Sequence, residues 1–375
     1  MRTTTRARRT ATAGPVDLRS DTVTKPTRQM RAAMAAAEVG DDVLGRDPTL
    51  RELEVRVAGL LGAADALWTP SGCMGNNIAL MSHLGRGDAF LAPVGAHVLD
   101  AELGTAAWLA GGMPRPLPHD AGPGKVSPDA VRRAAGPAGP YYTLRTTLLC
   151  LENTHNAAGG AVTAPEEHAA VVSVARAAKL AVHLDGARLW HAAVALGVPP
   201  GALTVGVDTV QVCLSKGLGA PVGSVVAGSV EFTEEARRLR KMLGGGVRQG
   251  GVLGAAGLVA LDRIDRLAED HDRARTLAAG LRERGWQVRE PQTNIVLVAV
   301  ADLAGTVQRF ADAGVLASTM SGQVRLMTHA DVDDTDIATA LDRIGPIEAP
   351  SRSNGGPAPQ PVGNLRRAPA RQTGP

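Results

Sequence analysis

Three short apolar runs, each followed at once by polar residues, constrain the fold of this chain more than any other feature of its sequence. The runs are TLLCL (147–151), LAVHL (180–184) and TVQVCL (209–214). Such runs are typical of strands that are covered on both faces of a sheet. A helical stretch over residues 166–179 separates the first two runs. Helices that alternate with short apolar strands predict an α/β layer architecture.

The polar residues after these runs indicate where a site would form. They are ENTH (152–155), DGAR (185–188) and SK (215–216). In open α/β sheets, ligands bind outside the carboxyl ends of the strands. We therefore expect the three segments to supply side chains to a common site.

Capping and spacing predict further elements. Asp47 is expected as the N-cap and Pro48 as the first residue of a helix that ends at Gly62. A long helical segment over about 251–283 should lead into a second domain. The parts expected there are strands at 294–300 and 323–327 and helices at 302–313 and 331–344. The predicted organisation is a tail (1–15), a large domain (16–250), a linking helix with a small domain (251–346) and a second tail (347–375).

Charge and composition disfavour several classes of function. The net charge of +3 is small for 375 residues, and many basic residues lie in the two tails, so no nucleic-acid footprint is evident. No stretch approaches the ~20 apolar residues of a membrane span, and no apolar core follows the basic start as in a secretory signal. The three cysteines lack CxxC spacing and favour a reducing compartment. The sequence thus predicts a cytoplasmic protein without nucleic-acid or membrane partners.

Lys216 interrupts VCLSKGLGAPVGSVVAG (212–228), a stretch of otherwise apolar, small and neutral residues. One interpretation is a surface lysine in a tight loop that extends its ammonium group into solvent. The other is an amine nucleophile, because a surrounding of low polarity favours the neutral amine that forms a Schiff base. The second interpretation makes pyridoxal phosphate the cofactor to test. That cofactor needs a carboxylate for its pyridine nitrogen, donors for its phosphate, and an acid or base near the reacting bond.

Each requirement has a candidate. Asp185 ends a buried strand, where its carboxylate would be unfavourable unless it met a cation such as a pyridinium; a turn-forming Asp-Gly is the alternative. The segment TPSGCMGN (69–76) opens an apolar helix whose first N–H groups can bind a phosphate, although a simple Ser-Gly cap fits as well. Arg248 follows three glycines and is either a phosphate ligand or a solvated side chain beside a flexible hinge.

An amino-acid substrate adds a carboxylate, which arginine binds with two hydrogen bonds. Arg188 and Arg325 are the candidates, although alternation in GQVRLMTH could place Arg325 on a solvated face. His97 and His155 could stack on a ring or move protons, but single histidines are commonly structural. His183 is expected in the core. No histidine pair has metal-ligand spacing within a helix, so no metal site is predicted.

Eight collinear segments resemble those of the low-specificity L-threonine aldolases. They are DLRSDTVTKPT (17–27), VGDDVLGRDPT (39–49), PSGCMGN, LENTHN, HLDGARL, CLSKGLGAPVGS, LRKMLGGGVRQGG and VRLMTHADV. The resemblance runs from about residue 16 to about residue 344. It implies a fold-type I pyridoxal-phosphate enzyme with a mostly parallel seven-stranded sheet in a large domain and a small C-terminal α/β domain. It also implies a homotetramer whose active sites lie at dimer interfaces.

The resemblance implies catalytic roles by match of motif. Lys216 looks like the Schiff-base lysine, Asp185 like the partner of the pyridine nitrogen, and His97 like the histidine that stacks on the ring. His155 matches a second active-site histidine. With His97 it is a candidate to take the proton of the substrate hydroxyl.

The resemblance also implies binding roles for further residues. Those that fall where the family binds phosphate are Gly72, Cys73 and Arg248, the last across the subunit boundary. Those that fall where the family holds the substrate carboxylate are Ser20, Arg188 and Arg325, and Arg188 is also expected beside the cofactor. Two positions depart from the pattern, because many relatives have an aromatic residue at Leu44 and threonine at Cys73.

The implied activity is retro-aldol cleavage of L-threonine, L-allo-threonine and related 2-amino-3-hydroxy acids to glycine and an aldehyde. The alternative within the fold is a β-eliminating lyase that converts an amino acid to a 2-oxo acid and ammonia. A nicotinamide-dependent oxidoreductase is disfavoured, because no GxGxxG follows an early strand with an acidic residue about 20 positions on. A cofactor carrier without activity is the remaining alternative.

Overall fold

The structure, a computed structural model, describes residues 14–136 and 139–347, so the two predicted tails lie almost entirely outside the described residues. The strands are β1 (Val16–Asp17), β2 (Asp65–Thr69), β3 (Ala89–Pro93), β4 (Met113–Leu117), β5 (Thr146–Glu152), β6 (Ala181–Gly186), β7 (Thr209–Cys213), β8 (Ser224–Gly228), β9 (Gln287–Val288), β10 (Ile295–Ala299), β11 (Val315–Leu316), β12 (Ser318–Met320) and β13 (Gln323–Met327). The helices are α1 (Arg28–Ala36), α2 (Pro48–Leu61), α3 (Gly72–His83), α4 (His97–Asp100), α5 (Thr105–Trp108), α6 (Pro128–Ala135), α7 (Pro165–Ala177), α8 (Leu189–Leu196), α9 (Val230–Met242), α10 (Gly251–Leu261), α11 (Leu267–Glu283), α12 (Leu303–Asp312) and α13 (Asp334–Ile344).

A seven-stranded sheet with the strand order β2-β8-β7-β6-β5-β3-β4 forms the centre of the large domain. Strands β4, β3, β5, β6 and β7 run parallel, and β8 is antiparallel to both of its neighbours. Every residue of β2, β3 and β7 is buried, as expected for strands with helices on both faces of their sheet. The mostly parallel seven-stranded sheet is therefore confirmed.

A second, antiparallel sheet with the order β12-β13-β10-β9 forms the small domain. Its core contains the buried side chains of Leu277, Val296 and Phe310. Strand β1 pairs in parallel with β11 and adds Val16 and Leu18 to the same core. The N-terminal strand thus packs with the C-terminal domain, and the boundaries expected at residues 250 and 346 stay a prediction.

Helix α2 has the capping that its sequence predicts. Asp47 Oδ1 accepts a hydrogen bond from Leu50 N at 2.9 Å, Pro48 lies in the first turn, and Gly62 ends the helix with φ of 65° in the left-handed region. Such a φ is unfavourable for residues other than glycine.

The continuous helix expected over 251–283 is wrong, because the chain forms two helices there. Helices α10 and α11 are separated by a 3-10 turn at Ile264–Arg266. Helix α10 packs on α1 and α2 in the large domain, whereas α11 packs both on α8 in the large domain and on α13 in the small domain. The turn thus begins the passage of the chain from one core to the other. None of the helices in the described ranges has the length and apolar character that crossing a membrane requires.

Candidate active site

A cavity of about 330 Å³ lies at the carboxyl ends of β6 and β7, against the first turn of α3. Asp185 is the penultimate residue of β6, and Lys216 follows β7 in the loop to β8. Five residues that the sequence predicts as site residues line this cavity, namely Gly72, Cys73, His97, Asp185 and Lys216. The strand ends therefore meet as expected for a doubly wound sheet.

Asp185 presents a buried carboxylate to the cavity, with 3% of the residue exposed. Its Oδ2 accepts a hydrogen bond from Asn76 Nδ2 at 2.8 Å, and its Oδ1 accepts one from Ala187 N at 3.0 Å. Among the described residues, no lysine or arginine forms an ion pair with it. A buried carboxylate is unfavourable without a cationic partner. The cavity is thus suited to a ligand that carries a positive charge next to Asp185.

Hydrogen bonds connect His97 to Asp185 through Glu102 and Asn76. His97 Nδ1 donates to Glu102 Oε1 at 2.8 Å, and Asn76 Nδ2 donates to the same oxygen at 2.7 Å. The hydrogen bond to Glu102 raises the pKa of His97. His183 is completely buried, as expected for a core residue, and its Nε2 lies 3.1 Å from Asn76 Oδ1. This network fixes the imidazole of His97 relative to the carboxylate of Asp185.

The first turn of α3 approaches β7 so closely that glycine is required at two positions. A Cβ at Gly72 would lie 2.9 Å from Cys213 Sγ, and a Cβ at Gly75 would lie 2.7 Å from Gln211 Cγ. Ser71 caps the helix. The first N–H groups of a helix have no intrahelical acceptor, and the helix dipole favours an anion there. This turn is therefore a suitable donor set for a phosphate.

Cys73 is the exposed one of the three free cysteines. Desolvation and the carboxylate of Glu102 raise the pKa of Cys73 to about 11. A thiol with such a pKa is protonated at neutral pH and is a poor nucleophile. The backbone N–H, rather than the sulfur, is thus the group that Cys73 can offer to an anion.

Arg188 and Arg325, the two arginines predicted to hold a substrate carboxylate, lie side by side. Arg188 is buried, and its Nε and Nη2 donate to the two oxygens of Asp21 at 2.8 and 2.7 Å. Arg188 Nη1 and Arg325 Nη1 both donate to Asn156 Oδ1, at 3.2 and 3.1 Å. The solvated face considered for Arg325 is wrong, since the side chain is partly buried and its Nε donates to Ser318 Oγ at 3.0 Å. Burial and the neighbouring Arg188 lower the pKa of Arg325.

Arg188 and Arg325 do not line the cavity of the single chain, and neither do three further predicted residues, Ser20, His155 and Arg248. Ser20 caps a 3-10 turn. His155 is buried without a hydrogen bond to either ring nitrogen from the described residues, and burial together with His119 lowers its pKa to about 4. Arg248 is exposed and forms an ion pair with Asp41 at 3.3 Å. The roles expected of these three residues stay predictions.

Proteins of known family resemble this chain over most of its length. The "Low-specificity L-threonine aldolase 1" of Arabidopsis thaliana is 41% identical over 87% of this chain and 94% of its own. The low specificity L-threonine aldolase of Escherichia coli K12 is 42% identical over 86% of this chain and 96% of its own. The profile of the beta-eliminating lyase family matches residues 17–303. The chain belongs to the beta-eliminating lyase family.

Solved structures share the fold of this member of the beta-eliminating lyase family. A threonine aldolase from Leishmania major superimposes with a TM-score of 0.76 at 19% identity, over 88% of this chain and 98% of its own. A serine palmitoyltransferase from Sphingomonas wittichii superimposes with a TM-score of 0.71 at 19% identity, over 88% of this chain and 86% of its own. At such identities the likeness concerns the fold alone.

Glu152 is a residue of this lyase's site that the sequence did not single out. It is buried at the carboxyl end of β5, where Glu152 pairs with Asp185 of β6. Its Oε2 accepts a hydrogen bond from His97 N and its Oε1 one from Asn156 N, both at 2.8 Å. Burial and the carboxylate of Asp185 raise the pKa of Glu152 to about 7. Its place in ENTH, directly after an apolar run, was the signal that could have identified it.

Other residues of the site could not be identified from local sequence. Asp21 and Arg188 are 167 positions apart, and Asn76 and Asp185 are 109 positions apart. Pairings between distant residues leave no local pattern, so only the structure identifies them.

A cluster of potential metal ligands lies in the same region. One ligand atom from each of Cys73, His97 and Glu102 lies within 4.8 Å of the others. His97 and Glu102 already form a hydrogen bond with each other, and Cys73 and His97 line the cavity described above. The absence of a metal site in this lyase remains a prediction from sequence.

Proposed function

We propose that this chain is a pyridoxal-phosphate-dependent aldehyde-lyase that cleaves L-threonine, L-allo-threonine and related 2-amino-3-hydroxy acids to glycine and an aldehyde. The names of its relatives support the reaction and the substrate class. The observation that carries the proposal is that Lys216 lines one cavity with Asp185, which is buried and has no cationic partner among the described residues. An amine for the aldehyde and a carboxylate for the pyridine nitrogen are the two groups that pyridoxal phosphate requires.

The residues of the cavity fit this cofactor. Lys216 would attach it, Asp185 would accept a hydrogen bond from its ring nitrogen, and His97 would stack on its ring. The N–H groups of the first turn of α3 would bind its phosphate. When bound, pyridoxal phosphate supplies an aldehyde that bonds the substrate amine and a ring that accepts the electron pair of the breaking bond.

The protein's own side chains orient the substrate and move its protons in the proposed reaction. Arg188 and Arg325 bind the substrate carboxylate, since Arg188 pairs with Asp21 whereas Arg325 forms no ion pair with the described residues and its charge is available to the substrate. Ser20 adds a hydroxyl donor beside them. His97 takes the β-hydroxyl proton as the Cα–Cβ bond breaks. We favour His97 over His155 because it lines the cavity and because Glu102 raises its pKa, whereas burial lowers the pKa of His155 to about 4.

Product analysis tests the proposed function. Purified protein with pyridoxal phosphate should convert L-threonine, L-allo-threonine or phenylserine to glycine and an equal amount of aldehyde. A 2-oxo acid and ammonia in place of glycine would identify the β-eliminating alternative. Cofactor binding without aldehyde release from any of the three substrates would identify a carrier and contradict the proposal.

Asp185→Asn should lower kcat for threonine by about 100-fold or more while the protein stays folded. The loss follows because an amide cannot stabilise a protonated ring nitrogen, and removal of one such electrostatic group costs roughly 10²–10³ in kcat. Steady-state rates and circular dichroism measure the two effects. Asp312→Asn, the same change at an exposed position of α12, should leave the rate unchanged. An Asp185→Asn enzyme with the wild-type rate would contradict the role assigned to Asp185.

The protein is further proposed to be a cytoplasmic homotetramer whose active sites are shared between subunits. Large apolar side chains remain exposed on the single chain, among them Leu44 at 86%, Leu103 at 96% and Trp108 at 75%. Surfaces of this kind support association. Three free cysteines support a reducing compartment. Light scattering of the purified protein and cell fractionation test these two points.

Arg248→Ala should raise the dissociation constant of pyridoxal phosphate by about 10-fold or more, because one charge-assisted hydrogen bond contributes roughly 1.5–3 kcal/mol. The contact is proposed to come from the neighbouring subunit, where Arg248 would exchange its partner Asp41 for the phosphate. Cofactor titration of the apoprotein measures the effect. Arg238→Ala is the matched control, since Arg238 is exposed and, within the part of the chain that the structure describes, bonds only to groups on its own helix. Equal affinities in the two variants would contradict this role.

A further inference from the structure

Asn156 connects the two arginines of the candidate carboxylate site. Its Oδ1 accepts hydrogen bonds from Arg188 Nη1 at 3.2 Å and from Arg325 Nη1 at 3.1 Å. An amide oxygen has two lone pairs, and both are used here. Two guanidinium groups repel each other, and the shared acceptor offsets this repulsion by bonding both of them in a partly buried site.

The shared acceptor, Asn156 Oδ1, is neutral, so it cancels neither of the two positive charges. Arg188 is compensated by the bidentate pair with Asp21. Arg325 donates to uncharged oxygens only, those of Asn156, Ser318 and the Arg19 carbonyl, among the described residues. Arg325 therefore forms no ion pair with the described residues, and its positive charge is available to one carboxylate of a ligand.

The backbone of Asn156 is held in place as well. Its N–H donates to Glu152 Oε1 at 2.8 Å, and the other oxygen of Glu152 accepts from His97 N at 2.8 Å. One buried carboxylate therefore fixes both the residue between the arginines and the residue that begins α4 beside the cavity. Asn156 is consequently fixed relative to the cavity as well as to the arginines.

We propose that Asn156 is a positioning residue that creates the carboxylate site by holding Arg188 and Arg325 together through a neutral oxygen. The inference rests on the proposed function, because it identifies the anion as the carboxylate of the amino-acid substrate. The residue acts through the arginines. The neutrality of the Asn156 side chain, rather than its size, is the property that leaves the site able to bind a carboxylate.

Asn156→Asp is the decisive variant, because it keeps the shape of the side chain and adds one negative charge between the arginines. Isothermal titration of the holoprotein with glycine should show a dissociation constant at least about 10-fold higher, the loss expected for one charge-assisted hydrogen bond. Ethanolamine, which has the amine but no carboxylate, should bind with an unchanged constant. In steady state, KM for threonine should rise much more than kcat falls.

Asn156→Ala and Gln308→Glu complete the test. The alanine variant removes the shared acceptor without adding charge, so glycine binding should weaken less than in the aspartate variant. Gln308→Glu makes the same amide-to-carboxylate change at an exposed position of α12 and should leave both ligands unaffected. Equal weakening of glycine and ethanolamine in Asn156→Asp would indicate general disruption and overturn the proposal, as would unchanged glycine binding. A wild-type protein that binds glycine but does not cleave threonine would refute the proposed function alone.

Discussion

Lys216→Ala is expected to abolish threonine cleavage, with a fall in kcat of roughly a thousandfold or more. The physical reason is that the variant loses the amine that attaches the cofactor. No second lysine lines the cavity within the described residues, so none can take its place. Aldehyde release from L-threonine and from phenylserine, followed over hours to detect residual activity, measures the effect.

Borohydride reduction separates a catalytic role of Lys216 from a structural one. In the wild-type holoprotein, reduction should attach the cofactor to the tryptic peptide that contains Lys216, and mass spectrometry should locate it there. The variant should bind pyridoxal phosphate only reversibly and should lose it on dialysis. Lys25→Ala is the matched control, because Lys25 is exposed and its ammonium group forms no ion pair with the described residues. Equal rates in Lys216→Ala and wild type would exclude the proposed mechanism.

The sequence predicted the position of the site because the relevant signals are local. An apolar run followed by Asp185, and another followed by Lys216, places both residues at the carboxyl ends of strands. Parallel strands end at the same edge of their sheet, so two local patterns and one rule of topology bring the residues together. The cavity that they share follows from this geometry.

The remainder of the site depends on contacts that no local pattern encodes. The N-terminal segment packs on the small domain through Val16 and Leu18, and this packing brings Asp21 to Arg188. The turn at Ile264–Arg266 likewise escaped prediction, because periodicity does not report a change of direction.

Asp21→Asn is expected to lower the free energy of unfolding at pH 7 by about 3–5 kcal/mol, the usual effect of removing one partner of a buried ion pair. Asp21 is completely buried and Arg188 is 5% exposed, so solvent cannot replace the lost charge. Urea denaturation measures the change. Asp17→Asn is the matched control, because the ion pair of Asp17 with Arg19 is partly exposed and should contribute less than about 1 kcal/mol.

The pH dependence of this difference follows from the pKa of Asp21. Burial alone would raise that pKa, but the guanidinium of Arg188 holds it well below its usual range. A carboxylate whose pKa is lower in the folded state contributes stability that is complete above about pH 4 and is lost as the pH falls through the folded-state value. The difference between wild type and Asp21→Asn should therefore shrink as the pH falls below about 4.

A double variant shows whether the unpaired charge is the cause. Replacing a buried ion pair by apolar groups of similar volume is often close to neutral for stability. Asp21→Asn combined with Arg188→Met introduces an apolar group only at position 188, but it leaves no unpaired buried charge, so it should be more stable than Asp21→Asn alone, although it should not bind the substrate carboxylate. If the double variant is instead the least stable of the series, the lost stability comes from the packing of the Arg188 guanidinium. Asp21 would then act mainly by holding that group in place rather than by neutralising its charge.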